Sequence, residues 1–245
     1  MQVITIGTCR GGAGKTSTTA ALAQAAAHKG LKTLTVDLDP QGSLTYFLAA
    51  DVTRPGSFEV IEGTATAAQA IQEAAEGLSV IPASWNLQTV TSSPGSARRL
   101  QTAIKPILSR FDLCLIDTPP TSGELQYNAL MASTGLIIPV LADIISLQGL
   151  YQMSDTARQI QKSNPGLRIK GYVLTRVGGR STLARQMGEM IQARAKETGI
   201  PFLGAIREAV SLREAQTLQR SLYEYAPNGK PAIDYMTLLE KITRR

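Results

Sequence analysis

The chain has 245 residues, 43% of them apolar, a length common for one α/β domain, and residues 1–245 are read as a single domain with a full core. Its two cysteines, Cys9 and Cys114, form neither a metal-spaced cluster nor a disulfide framework, so a reducing cytoplasm is the expected compartment. The net charge of +6 is uneven: residues 1–150 carry 9 Lys/Arg against 11 Asp/Glu, residues 151–245 carry 16 against 8, which makes DNA, RNA or acidic lipid eligible partners of the C-terminal part.

Met1 runs directly into a strand at Val3–Gly7, so no signal peptide is expected. A helix follows over Lys15–Lys29, with Gly30 as its stop. Further strands are predicted at Thr33–Asp37, Leu78–Pro82, Phe111–Asp117, Gly135–Ile138, Ile169–Thr175 and Phe202–Ala205, and helices at Leu147–Lys162, Thr182–Lys196 and Asp234–Thr243. The longest apolar run, Gly135 to Ala142, is broken by Pro139 and is far too short to cross a bilayer. This alternation predicts an α/β fold, a mostly parallel twisted sheet with helices on both faces. Ligands of such sheets bind beyond the C-terminal strand ends. Three chemically loaded segments fall there: the Gly-rich turn after the first strand, Asp37–Pro40 and Asp117–Pro120.

The strongest motif is Cys9-Arg10-Gly11-Gly12-Ala13-Gly14-Lys15-Thr16. Its glycines let backbone N–H groups wrap a phosphate at a helix N-terminus. Lys15 is expected to reach the β- and γ-phosphates, and Thr16 to offer its hydroxyl to Mg²⁺; Ala13 and Ser17 complete the cradle. The usual G-x-x-x-x-G-K-[ST] pattern is not strictly met, because Cys9 stands where its first glycine belongs. Asp39 is placed to orient or deprotonate a water attacking the γ-phosphate, and Asp37 to support the metal's water shell. Asp117, closing an apolar strand, fits the role of holding Mg²⁺, usually through water. His28, the single histidine, reads as a surface residue at a helix end, Cys114 as core, and Trp85 as a packing residue.

The run R-G-G-A-G-K-T resembles the deviant Walker A box, K-G-G-x-G-K-[TS], of the ParA/MinD ATPases, a P-loop NTPase family. DLDPQG is similar to the family's second box and LIDTPP to its Walker B, and the likeness to ParA segments continues to Gly229–Tyr235. The resemblance implies Mg·ATP as cofactor, an ATP-sandwich homodimer, nonspecific DNA binding by that dimer on the nucleoid, and hydrolysis stimulated by a ParB-like centromere-binding partner. Carried over, Gly11, Gly12, Gly14, Lys15 and Thr16 bind phosphate and Mg²⁺, Asp39 serves hydrolysis and Asp117 the metal. Arg180 matches a basic position implicated in DNA contact, and Arg207 and Arg213 sit offset from two others. Arg10 stands where the family has a signature lysine that contacts ATP across the dimer, so a catalytic role in trans is expected of it.

A MinD-like membrane ATPase is the main rival: Tyr235, Leu238, Leu239 and Ile242 form an apolar stripe beside Lys241, Arg244 and Arg245. A terminal helix packed on the domain is the favoured alternative, with membrane association not expected. An iron–sulfur reductase of related fold is disfavoured, since neither cysteine presents a thiolate at a shared surface.

Overall fold

The protein was analysed as a computed structural model that describes residues 1–178 and 182–243. Strands β1 (Gln2–Ile6), β2 (Thr33–Asp37), β3 (Gln72–Ala75), β4 (Leu78–Ile81), β5 (Leu113–Asp117), β6 (Gly135–Leu141), β7 (Arg168–Val177) and β8 (Phe202–Arg207) form one sheet in the order β3-β4-β2-β5-β1-β6-β7-β8. All neighbours run parallel except β3 and β4.

Period-two alternation divides the core. Ile4 and Ile6 face a layer made by the helix Lys15–His28 and the helix Lys230–Thr243. Val3, Leu34, Val36, Cys114 and Ile116 face the opposite layer, where the helices Arg99–Ile104 and Glu124–Ala132 pack. Covered on both faces, β2 and β5 are buried at every residue, which is why β5 reads as the apolar run Leu-Cys-Leu-Ile and β2 carries no polar residue larger than threonine before Asp37. Buried alanines at 20, 21, 23, 25 and 26 let the first helix pack closely between the sheet and the 230–243 helix.

Tyr235, Leu238, Leu239 and Ile242 are each 2% exposed or less. The apolar stripe of the last helix is therefore spent on the core, as the favoured alternative holds, and no described helix is long and apolar enough to cross a membrane. Arg244 and Arg245 lie outside the described residues.

Three elements differ from expectation. The strand β3, Gln-Glu-Ala-Ala, has no β-branched residue to mark it; it forms because Gly77, at φ 74°, closes a tight turn onto β4. The sixth strand runs on through Pro139 to Leu141. Ile137 offers its carbonyl to Gly7 N–H on the β1 side, so Pro139, two residues on, turns its missing donor the same way. There β1 has already ended, its last partner being Ile137. Trp85, expected to pack, is 65% exposed.

Candidate functional site

The parallel strands bring the three loaded segments to one edge. The turn after β1 enters the Lys15–His28 helix through Gly14, whose φ of 78° puts it in the left-handed region, as does the 74° of Gly12. An L side chain is strained at both positions. Among the described residues no side chain caps this helix, so its first N–H groups are left for a ligand, with the positive end of the helix dipole behind them. A Cβ at Gly11 or Gly12 would meet nothing within 4 Å, so the cradle is open on its outer side. Ala13 is buried and its carbonyl accepts the Thr175 hydroxyl at 2.9 Å.

Lys15 is 6% exposed and its Nζ arches back to donate to the Arg10 carbonyl at 3.3 Å. Burial lowers the pKa of this ammonium, while the charges of Asp117 and Asp39 oppose that shift. Asp117 is fully buried. Its Oδ1 accepts the Thr19 hydroxyl at 3.2 Å, and its Oδ2 is buried with no hydrogen-bond partner among the described residues. Burial, with Asp37 beside it, pushes the Asp117 carboxyl up to about 8; Thr16 and Lys15 pull it back. An enclosed carboxylate oxygen lacking a donor beside a threonine hydroxyl suits a hydrated divalent cation. Among the described residues no group of three or more His, Cys, Asp or Glu side chains is set to hold a metal alone. A Mg²⁺ at this place would take its other ligands from phosphate and water, so the donor set fits that ion.

Asp39 is 9% exposed; its Oδ1 accepts the Gln41 N–H at 3.0 Å. Asp37 is differently employed. Its Oδ1 accepts the Asp39 N–H at 3.0 Å, and its Oδ2 accepts Thr45 N–H at 2.9 Å and Thr45 Oγ1 at 2.7 Å. These bonds hold the Asp39 turn onto the helix Ser43–Phe47, so the geometry gives Asp37 a positioning duty where a place in the metal's water shell was expected. Burial raises its carboxyl to about 6 despite the Thr45 bonds.

A cleft of about 280 Å³ runs from this cradle toward the ends of β7 and β8, lined by Gly12, Lys15, Thr16, Ser17 and Asp39 at one end and by Ile206 and Leu212 at the other. Sequence reading missed the far wall. Arg176, a non-glycine residue at φ 55°, directs Nη1 to the Gly12 carbonyl at 3.4 Å. With Thr175 it ties the end of β7 to the phosphate turn across more than 160 residues, and no local pattern signals such a tie. Ser17 Oγ donates to Gln216 Oε1 at 3.4 Å.

Arg207 does not suit the DNA role expected of it. Its Nε and Nη2 donate to Asp234 at 2.9 and 2.6 Å, so its fork is committed to a carboxylate on the last helix. Arg213 pairs with Glu208 at 3.2 Å at the cleft mouth, and its side chain is 57% exposed. Arg180 lies outside the described residues. Arg10 is half-buried, with Nε enclosed and lacking a hydrogen-bond partner among the described residues, and it is not among the residues that line the chain's own cleft. Its backbone packs on Gly149, where a Cβ would meet Arg10 Cβ at 3.3 Å. His28 is exposed and stacks on Tyr223 at 5.3 Å, and Cys114 is core, its thiol raised to about 12 by burial.

The AAA domain family matches residues 1–169. The chain is 32% identical over 238 residues to the chromosome-partitioning ATPase Soj of Thermus thermophilus, covering 96% of this chain and 93% of that protein. A protein of Borrelia burgdorferi assigned to plasmid partition, solved with AMPPNP, superposes with a TM-score of 0.84 at 25% identity, covering 98% of this chain and 97% of that one. The septum site-determining protein MinD of Pyrococcus horikoshii, solved with Mg-ADP, gives 0.82 at 26% identity over 99% and 96%. With a phosphate cradle, a buried lysine and two carboxylates on one sheet edge, and relatives matched along nearly their whole length, the chain belongs to the ParA/MinD-type P-loop ATPases.

Proposed function

We propose that this ATPase drives DNA partitioning: with Mg·ATP it forms a sandwich dimer that binds DNA without sequence preference on the nucleoid, and a ParB-like partner stimulates its hydrolysis. The observation that carries this reading is that Lys15 faces both Asp117 and Asp39 beside the Gly11–Gly14 cradle, in a chain alike, end to end, to a chromosome-partitioning ATPase. Bound Mg²⁺ supplies charge neutralisation between phosphate oxygens. Thr16 and Asp117 hold its shell, Lys15 balances the β- and γ-phosphates, and Asp39 orients the attacking water and takes its proton. The positive balance of residues 151–245 supports a polyanion partner. The buried stripe of the last helix argues against a lipid one.

Two expected results test the finer claims. Retardation of unrelated DNA fragments is expected with ATP and not with ADP, and affinity should fall steeply with salt as counterions are released. Arg180→Ala should weaken binding to every sequence alike, because a phosphate contact reads no base. Equal binding with either nucleotide, or binding indifferent to salt, sinks the DNA reading, and tight liposome binding without DNA binding would move the chain to the membrane branch. For the dimer, Arg10 already stands clear of its own cleft, and an arginine keeps the charge of the family's lysine in a broader fork. Arg10→Ala is expected to weaken ATP-dependent dimerisation by about ten- to a hundredfold, the worth of one or two charge-assisted bonds, with monomer nucleotide affinity nearly unchanged. Arg10→Lys should restore the dimer. Light scattering on a hydrolysis-blocked Asp39→Ala background reads this directly, and an unchanged dimer fraction in Arg10→Ala removes the role in trans.

A further inference from the structure

A second cavity, of about 290 Å³, lies behind the two carboxylate loops. Its walls include Pro40, which follows Asp39, Pro119 and Thr121 from the turn after Asp117, Leu87, and Gln126 on the Glu124–Ala132 helix. Gln126 is 0% exposed, and neither its Oε1 nor its Nε2 has a hydrogen-bond partner among the described residues. Both ends of the amide are unpaired, so exchanging its oxygen and nitrogen changes nothing. Neighbouring polar groups are already engaged. Glu124 accepts Ser92 Oγ at 2.9 Å and Asn128 Nδ2 at 3.0 Å, and Asn128 Oδ1 accepts the Leu100 N–H at 3.0 Å.

We infer that Gln126 is a positioning residue for hydrolysis, whose amide is paired when nucleotide draws the Asp39 and Asp117 loops together over this cavity. An enclosed amide without partners is costly to keep, and an apolar side chain of similar length would fill the same space at no such cost. Two of the backbones that line the cavity with this amide carry the two working carboxylates. Between them they hold what it lacks: the carbonyls of Pro40 and Pro119 accept and the Thr121 N–H donates, the Gln41 N–H being held by Asp39 Oδ1 at 3.0 Å. Prolines at 40 and 119 stiffen both loops, so an amide that grips either one near its proline moves the adjacent carboxylate with little slack. Gln126 acts on the reaction only through those loops. Its contribution belongs to the loaded state and is opposed in the unloaded one.

That opposition gives the test, which rests on the ATPase reading above. Gln126→Met and Gln126→Leu remove both amide functions at similar volume, and two variants guard against one of them packing badly. Without nucleotide, each is expected to melt at the parent temperature or up to about 2–4 °C above it. In steady-state assays kcat should fall about tenfold as the carboxylates lose their positioning, and KM for ATP should rise a few-fold, because the same bond is already made in the loaded state. On an Asp39→Ala background, where hydrolysis is blocked, the rise in melting temperature on adding Mg·ATP should be smaller in the Gln126 variants than in the parent. A parent that shifts with Mg·ATP while both variants shift equally far, at full kcat, overturns the inference and leaves the ATPase reading standing. An amide satisfied by internal water would instead show as a lower melting temperature without nucleotide and an unchanged kcat, which also overturns it. No shift in the parent removes the nucleotide reading and this inference with it.

Discussion

Lys15→Ala is expected to lower Mg·ATP affinity by at least about a hundredfold, the scale seen when a preorganised charged donor is removed from a phosphate or oxyanion site. Two effects add in the same direction. The first is loss of the ammonium that the cleft presents to phosphate, 6% exposed and held over the cradle by the Arg10 carbonyl. The second is electrostatic. Lys15 faces Asp117 and Asp39 at this edge, and without it the approaching polyphosphate meets those enclosed carboxylates with no ammonium beside them. Folding should survive, because alanine suits the first turn of a helix and because burial already disfavours the lysine's charge. Isothermal titration of the variant with Mg·ATP, beside a thermal melt without nucleotide, separates these outcomes. Binding within about threefold of the parent, in a variant that melts normally, would mean that the cleft is not the phosphate site.

The legible part of this protein is the part whose chemistry is local. Glycines followed by Lys15 and Thr16, and carboxylates at the ends of two strand-like runs, announce themselves because each motif is contiguous and the parallel topology does the assembling. The illegible part consists of partners distant in sequence. Arg207 reads as a free cation until Asp234, 27 residues on, is seen to occupy its fork. Thr175 and Arg176 lie in an ordinary strand end and bind the phosphate turn only because β7 is two strands from β1. The strand β3 escapes notice since its residues carry no β-propensity, and its place is decided by the turn at Gly77 and by pairing with β4. Asp37 and Asp39 look interchangeable in the motif. Their separate duties come from where the strand stops: β2 ends at Asp37, which stays in the core held by Thr45, while Asp39 lies in the turn beyond it, at the cleft.

That division between the two aspartates yields the sharpest expected contrast. Asp39→Ala should lower kcat by about a hundredfold to ten-thousandfold, the range for losing a positioned base, while Mg·ATP affinity stays level or rises as a negative charge leaves the cleft. The turn itself should hold. The Asp39 N–H still donates to Asp37, its carbonyl still accepts the Gly42 N–H at 2.9 Å, and the one bond lost is that of Gln41, whose N–H sits on an exposed residue and can turn to water. Asp37→Ala should behave in the opposite manner. It strips the acceptor from the Asp39 N–H and from both Thr45 donors in a fully buried setting. Each buried group left unpaired costs about 1–3 kcal/mol, so the loss should appear first as a lower melting temperature and then as weaker nucleotide binding. Single-turnover hydrolysis and thermal melts on the two variants distinguish chemistry from scaffolding. If Asp39→Ala turns over ATP at the parent rate, the water-activating group lies elsewhere on this edge and Asp39 serves only the turn.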